Sequence, residues 1–299
     1  MTAPQIRHRP IFVLGIDRSG TSLLSEVLFR WGAYPGRSEH LPKGDDGNPQ
    51  GYWEYGPMED FIADLYDSVG VDFWNPSFRE ILRRHAAEPE WRRRVSALAA
   101  EMEHPGKPWF WKEPGISFML PFFSEIFADP VYLITLRNPG DSARSYEKLF
   151  LPPVLRDRMR LTAFFFLRWQ YLMVAIFEHL KAYQSKLIVP YEALVSSPRE
   201  QCERIQSFLA AESGLTPDDP GILDRMAEAI NPDLWRNHSP AVFLENEKAS
   251  AAQKDLYTYL SSHVEGNLHD FEPARYPFPA CSGEYLANMM VVRWLFQNL

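Results

Sequence analysis

The residues from Gly15 to Ser22 have the types and spacing of a site for a phosphate-like anion. They follow a short apolar run and precede a pattern of apolar residues at helical spacing. A small-residue loop between a strand and a helix directs backbone N–H groups and the positive end of the helix at an anion. The spacing matches the Walker A pattern Gly-x4-Gly-x-Ser, but Thr21 replaces the Lys and the basic residue is Arg18. We therefore predict an anion site that differs from that of ATP and GTP hydrolases.

A second candidate anion site begins at Arg137, where another strand-like run ends. Asn138 can cap the helix that follows, and Pro139 suits its first position. Ser142 and Ser145 then lie on successive turns of that helix. An Arg at a strand end and a Ser on the adjoining helix can hold one phosphate, the Arg through two parallel N–H groups. An ordinary turn with a surface Arg would show the same residues, so this segment alone leaves both interpretations open.

Four apolar runs of strand length predict the elements that position these residues. The runs are Ile11–Ile16, Trp109–Lys112, Val131–Arg137 and Lys186–Val189. Helical patterns at 20–31, 139–149 and 198–209 follow three of them, which indicates an α/β fold with a central, mainly parallel sheet flanked by helices. Ligands of such sheets lie at the carboxyl ends of the strands. Polar residues at those ends include Asp17, Arg18, Lys112, Glu113, Arg137, Asn138, Tyr191 and Glu192.

The composition is that of a soluble globular protein. The chain has 299 residues, of which 45% are hydrophobic and 23% charged. A net charge of −8 without a Lys/Arg tract disfavours nucleic-acid binding. The polar first ten residues do not resemble a signal peptide, and the apolar stretch 161–177 is interrupted by Arg168 and Gln170, which favours a buried helix over a membrane span. Cys202 and Cys281 are expected to be free thiols, so we expect a cytoplasmic protein.

The two candidate anion sites together resemble those of bacterial-type sulfotransferases that use 3′-phosphoadenosine 5′-phosphosulfate (PAPS). Asp17–Thr21 is similar to the PRSGT- or PKSGT-type loop that binds the 5′-phosphosulfate, with Asp17 in place of the usual Pro or Gly. Arg137–Pro139 and Ser145 are similar to the family's 3′-phosphate site, an Arg-Asn/Asp-Pro run with a Ser eight residues after the Arg.

Three further stretches extend the resemblance over about residues 11–240. Asn48–Glu54 resembles the segment NPxGYWE, and Trp111–Pro114 resembles WKDP with Glu in place of Asp. Val189–Leu209 is similar to the region YEDLV…DP…RI..FL. The resemblance implies one P-loop-like sulfotransferase domain over 1–299, with a nucleotide-binding core at about 11–240, an insertion at about 36–108 and an irregular C-terminal segment at 241–299.

The resemblance implies transfer of a sulfuryl group from PAPS to a hydroxyl or amine, with release of PAP and without a metal. The acceptor would be a small molecule, a lipid or a glycan. The residues implied in donor binding are Arg18, Ser19, Gly20, Thr21, Ser22, Arg137, Ser145 and Tyr191. Arg144 and His238 are candidates for further nucleotide contacts. Arg18 and Lys112 would stabilise the charge that develops on the leaving phosphate.

A carboxylate general base is also implied. Glu39 follows Arg18 by 21 residues, an offset similar to that of the Glu in tyrosylprotein and some bacterial sulfotransferases, and is the first candidate. His40 and Glu54 are reserves. Aromatic neighbours would partly desolvate Glu54 and raise its pKa.

Two other functions fit parts of the sequence. A P-loop kinase or NTPase shares the fold class but needs a Walker Lys and a Mg²⁺-binding acid. A catalytically inactive PAP-binding adaptor would keep both anion sites without a working base. The acceptor's identity and the oligomeric state stay open, because the aromatic residues Trp53, Tyr55, Phe73 and Trp74 suit either a ring-bearing acceptor or an ordinary core.

Overall fold

Four parallel strands form one sheet in the computed structural model, which describes residues 9–44, 51–151, 161–214, 217, 219–232, 241–265 and 268–277. The strand order is β2-β1-β3-β4. The bounds are Ile11–Leu14 for β1, Phe110–Lys112 for β2, Val131–Leu136 for β3 and Lys186–Pro190 for β4. The predicted α/β class and its four strands are confirmed, with ends that differ by one or two residues.

The register brings the carboxyl ends of the strands to one edge of the sheet. Val13 of β1 is aligned with Lys112 of β2 and with Leu133 of β3. Strand β1 ends at Leu14 rather than Ile16, because the backbone N–H of Gly15 turns away and donates to Ser117 Oγ at 3.2 Å. The loop after β1 therefore begins at the level of the Lys112 tip.

Helices cover both faces of the sheet, as the alternation of strands and helical patterns predicts. In chain order they are α1 (Thr21–Trp31), α2 (Gly56–Val69), α3 (Phe78–Ala87), α4 (Pro89–Met102), α5 (Leu120–Phe123), α6 (Pro139–Phe150), α7 (Thr162–Leu180), α8 (Tyr191–Ser196), α9 (Pro198–Ser213), α10 (Ile222–Glu228), α11 (Ala241–Glu245) and α12 (Ala251–Ser262).

The two faces of the sheet carry separate cores, because successive strand residues point to opposite sides. Ile11 and Val13 pack with α1, α9 and α10 in one core. Phe12 and Leu14 pack with α2 to α5, α7 and α12 in the larger one. The expected buried helix is confirmed in α7, whose Phe165, Phe166 and Trp169 are almost fully buried. Across the described ranges, no helix combines the length and the apolar character that crossing a membrane requires.

One segment differs from the sequence-based expectation, and another is divided by a proline. The charged stretch 78–104 contains two helices, because Pro89 cannot continue α3 and instead begins α4. The C-terminal segment was expected to be irregular, yet 251–262 form α12. A capping box starts this helix, in which Ser250 Oγ accepts from Gln253 N and Gln253 Oε1 accepts from Ser250 N.

Candidate functional site

The loop between β1 and α1 leaves the start of α1 open for an anion. Gly20 is the N-cap, with φ of 99°, and no side chain caps the helix or places an acidic group in its first turn. The first N–H groups of a helix have no intrahelical acceptor. A Cβ on Gly20 would lie 2.3 Å from Tyr191 Cδ2, so this close approach of backbone and ring requires glycine. The Tyr191 ring therefore borders the loop, as its position at the end of β4 suggested.

The hydroxyl of Ser19 shapes the loop from inside. Ser19 Oγ lies 2.6 Å from both the Ile16 carbonyl oxygen and Thr135 Oγ1, and the residue is only 2% exposed. Arg18, just before it, has φ of 65°. A non-glycine residue in the left-handed region is held there by its surroundings and is common at ligand-binding loops.

The two anion segments predicted from sequence meet in space. Arg18 Nε donates to Ser145 Oγ at 3.1 Å, and Arg137 Nη1 donates to the Arg18 carbonyl oxygen at 2.9 Å. The Arg137 guanidinium also lies 4.2 Å from the centre of the Tyr191 ring. The loop, the tip of β3 and helix α6 thus place two guanidinium groups, a hydroxyl and an aromatic ring together.

Arg137 is buried, with only 8% of the residue exposed. Its hydrogen bonding is incomplete, because Nε has no hydrogen-bond partner among the described residues. Asn138 caps α6 as expected, accepting from Gly140 N at 2.9 Å. Arg144 instead pairs with the buried Asp141 on the same helix. Its predicted nucleotide contact therefore stays a prediction, and His238 lies outside the described residues.

Lys112 lies buried at the tip of β2 and is tied to the segment that precedes α2. Its ammonium forms an ion pair with Glu54 and donates to the Tyr52 carbonyl oxygen at 2.9 Å. Ser22 Oγ donates to the same carbonyl at 3.3 Å. One backbone oxygen therefore joins the strand tip to the first turn of α1.

The residue before Glu54 has an unusual backbone conformation. Trp53 has φ of 65°, and its ring lies tilted against Phe29 of α1, with 4.9 Å between the ring centroids. Burial raises the pKa of Glu54, and the neighbouring Lys112 opposes this shift. The expected rise in the pKa of Glu54 is confirmed. Glu54 and Lys112 are both buried, so neither is a free surface group.

The other two candidate bases lie in the exposed 3₁₀ helix Ser38–His40. Glu39 has one weak contact, 3.5 Å from Ser38 Oγ. The His40 ring meets the buried Tyr55 edge-on at 5.6 Å. Phe73 is buried in the core like Tyr55, which leaves Trp53 and Trp74 as the partly exposed members of the aromatic set.

Sequence reasoning placed Glu113 at a strand tip but gave it no role. The residue is partly exposed, and its Oε2 accepts from Ile116 N at 3.1 Å, which caps the 3₁₀ helix Pro114–Ser117. Burial of the carboxyl and the nearby charge of Asp17 raise the pKa of Glu113 to about 8, against the effect of Lys112. Its position at a strand end and its place in the WKDP-like stretch were the sequence signals for it.

Asp17 forms an ion pair with Arg168 of α7. The ion pair holds the side chain of Asp17, the residue that stands where the resembling loops have Pro or Gly. It also places the Arg168 guanidinium beside the loop. No group of three or more His, Cys, Asp or Glu residues in the described ranges is arranged to hold a metal ion. Cys202 is a buried free thiol, while Cys281 lies outside the described residues.

Comparison with known proteins identifies similar chains. A family model described as "Sulfotransferase family" matches residues 10–213. The sulfotransferase domain of the olefin synthase from Synechococcus PCC 7002 is 20% identical, with coverage of 87% of this chain and 96% of that domain and a TM-score of 0.48. A sulfotransferase from Mycobacterium avium is 16% identical, with coverage of 85% and 76% and a TM-score of 0.47. No curated protein matches the chain.

Proposed function

The chain belongs to the sulfotransferase family, as the match over residues 10–213 shows, and from this premise we propose that it transfers a sulfuryl group from PAPS to an acceptor. The acceptor carries a hydroxyl or an amine on a small molecule, a lipid or a glycan, and PAP is the second product. The observation that carries the proposal is the contact of Arg18 with both Ser145 and Arg137.

The described residues fit a nucleotide with anionic groups at both ends. The uncapped start of α1 and Arg18 suit the 5′-phosphosulfate, because N–H groups and a guanidinium converge there. Arg137 and Ser145 suit the 3′-phosphate, and Arg137 Nε, which has no hydrogen-bond partner within the described ranges, is a buried donor that an anion would satisfy. Tyr191 offers a ring face beside Gly20 for the adenine.

The proposed reaction is an in-line displacement at sulfur. The acceptor oxygen or nitrogen forms a bond to sulfur while the bond from sulfur to the bridging oxygen breaks, and the negative charge passes to the 5′-phosphate of PAP. Arg18 and Lys112 stabilise that charge, since fixed cations in a partly dry site act where charge develops. A carboxylate accepts the acceptor's proton; Glu39 is the first candidate from sequence, with His40 and Glu54 behind it.

Nucleotide-dependent thermal stability tests the donor assignment. We expect PAP to raise the melting temperature without Mg²⁺, and ATP or GTP with Mg²⁺ to raise it little. Arg137→Ala should remove most of the PAP effect, whereas Arg199→Ala, an exposed arginine on α9, should keep it. Stabilisation by ATP with Mg²⁺ but not by PAP would indicate a kinase or NTPase.

A screen of candidate acceptors with radiolabelled PAPS then identifies the acceptor. An inactive adaptor would bind PAP but would transfer no label.

A further inference from the structure

Glu113 differs from the other carboxylates near the loop in how its two oxygens are engaged. Oε2 is fixed by the N–H of Ile116, and Oε1 receives no hydrogen bond from any described residue. The carboxylate is thus oriented by the backbone through one oxygen, and the residue as a whole is partly exposed. A group that takes a proton from a ligand needs this combination of fixed orientation and access.

The neighbouring carboxylates are engaged differently. Glu54 is held in the buried ion pair with Lys112, and its Oε2 is inaccessible to solvent. Asp17 is partly exposed like Glu113, but its carboxylate is already paired with the Arg168 guanidinium. Glu39 is accessible but its one described contact is the 3.5 Å approach of Ser38 Oγ, so nothing orients it firmly.

Glu113 also has a suitable position relative to Lys112. The two are consecutive, so their Cα atoms lie about 3.8 Å apart. In an in-line displacement the entering and leaving oxygens lie on opposite sides of sulfur, a few ångströms from each other. Lys112 also acts on the Glu113 carboxyl, since its charge lowers the pKa of that group, so the ammonium can serve the leaving oxygen while the carboxylate serves the entering one.

We propose that Glu113 is the general base of the transfer and acts on acceptors that carry a hydroxyl group. This inference rests on the proposed function. The hydroxyl proton passes to Glu113 Oε1, the acceptor oxygen forms its bond to sulfur, and the bond from sulfur to the bridging oxygen breaks, so the electron pair leaves with PAP. The neutral carboxyl then returns its proton to solvent.

The charges around Glu113 support this role. Burial of the carboxyl is the largest cause of the raised pKa of Glu113. The negative charges of Asp17, Glu54 and Glu59 raise this pKa further, and the positive charge of Lys112 opposes them. A base with a pKa of about 8 is strong enough to receive a hydroxyl proton and is still substantially ionised at slightly alkaline pH.

The test compares two acceptors of different acidity, phenol and 4-nitrophenol, with radiolabelled PAPS and the variants Glu113→Gln and Glu113→Asp. General-base catalysis contributes about 10²- to 10⁴-fold. We expect E113Q to lose that much turnover with phenol and far less with 4-nitrophenol, which ionises without help. E113D should recover part of the loss. PAP affinity by calorimetry should stay unchanged, and Glu203→Gln on the surface of α9 serves as control.

The pH dependence gives a second readout that a merely structural role would not change. In the unmodified protein kcat/KM with phenol should rise through about pH 8, and in E113Q this rise should disappear. Equal losses on both acceptors, an unchanged pH profile, or the same acceptor dependence in E39Q instead of E113Q would each overturn the role of Glu113. Failure of the unmodified protein to transfer label to either phenol would count against the proposed function itself.

Discussion

Replacing Gly20 by Ala should damage the proposed donor site through one defined contact. The added Cβ would lie 2.3 Å from Cδ2 and 2.8 Å from Cε2 of Tyr191. The backbone cannot relieve this contact easily, because φ at Gly20 is 99° and the residue begins α1. The ring must move, and it then leaves its place 4.2 Å from the Arg137 guanidinium.

Two costs add in this variant. A left-handed conformation costs an L-residue about 1–2 kcal/mol, and forcing an extra carbon into a packed contact costs about 1–3 kcal/mol. We therefore expect G20A to lose about 2–5 kcal/mol of unfolding free energy. Displacement of the Tyr191 ring should weaken PAP binding at least about tenfold, which corresponds to about 1.4 kcal/mol.

Gly70 provides a matched control for the backbone cost. It ends α2 with φ of 69°, and a Cβ there would meet no heavy atom within 4 Å. Urea denaturation should show that G70A loses only the conformational cost of about 1–2 kcal/mol, while calorimetry should show unchanged PAP affinity.

In the double variant with Tyr191→Ala, the stability losses of G20A and Y191A should be less than additive, since the ring that clashes is gone. If G20A were no less stable than G70A and bound PAP normally, the assignment of this contact would be wrong.

Two further predictions concern the charges beside the loop. Lys112→Ala leaves Glu54 buried without its counter-ion, so urea denaturation should show a loss of about 3–5 kcal/mol of unfolding free energy. The added change Glu54→Gln should restore part of that loss. A further, additive loss in the double variant would contradict the ion pair. Asp17→Asn removes a negative charge that raises the pKa of Glu113, so the rise of kcat/KM with pH should move to lower pH. A rise at unchanged pH would show that Asp17 does not act on Glu113.

The meeting of Arg18 with Arg137 and Ser145 could be anticipated from the sequence. Parallel strands bring their carboxyl ends to one edge, so residues just after β1 and β3 must lie close together. The family resemblance pointed to the same residues independently. Local pattern and topology thus agree for the residues that follow β1 and β3.

The arrangement around Lys112 could not be anticipated in the same way. Its partner Glu54 follows Trp53, a bulky residue with a positive φ, and propensity argues against that conformation. The orientation of Glu113 depends on a short 3₁₀ helix that offers the N–H of Ile116. Both features arise from tertiary contacts between segments far apart in the chain, which periodicity does not report.

Under the proposed function, the strand order gives the loop after β1 different neighbours for the donor and for the acceptor. Because β1 is flanked by β2 on one side and β3 on the other, the loop has two different neighbours at the same edge. The β3 side presents Arg137 together with Tyr191, which directly follows β4, and this pair suits a nucleotide. The β2 side presents Lys112 and Glu113, a cation and an oriented carboxylate, which suits the reacting oxygens. A substitution on the β3 side should therefore change donor affinity, whereas one at Glu113 should change turnover, and variants from the two sides should combine additively in kcat/KM.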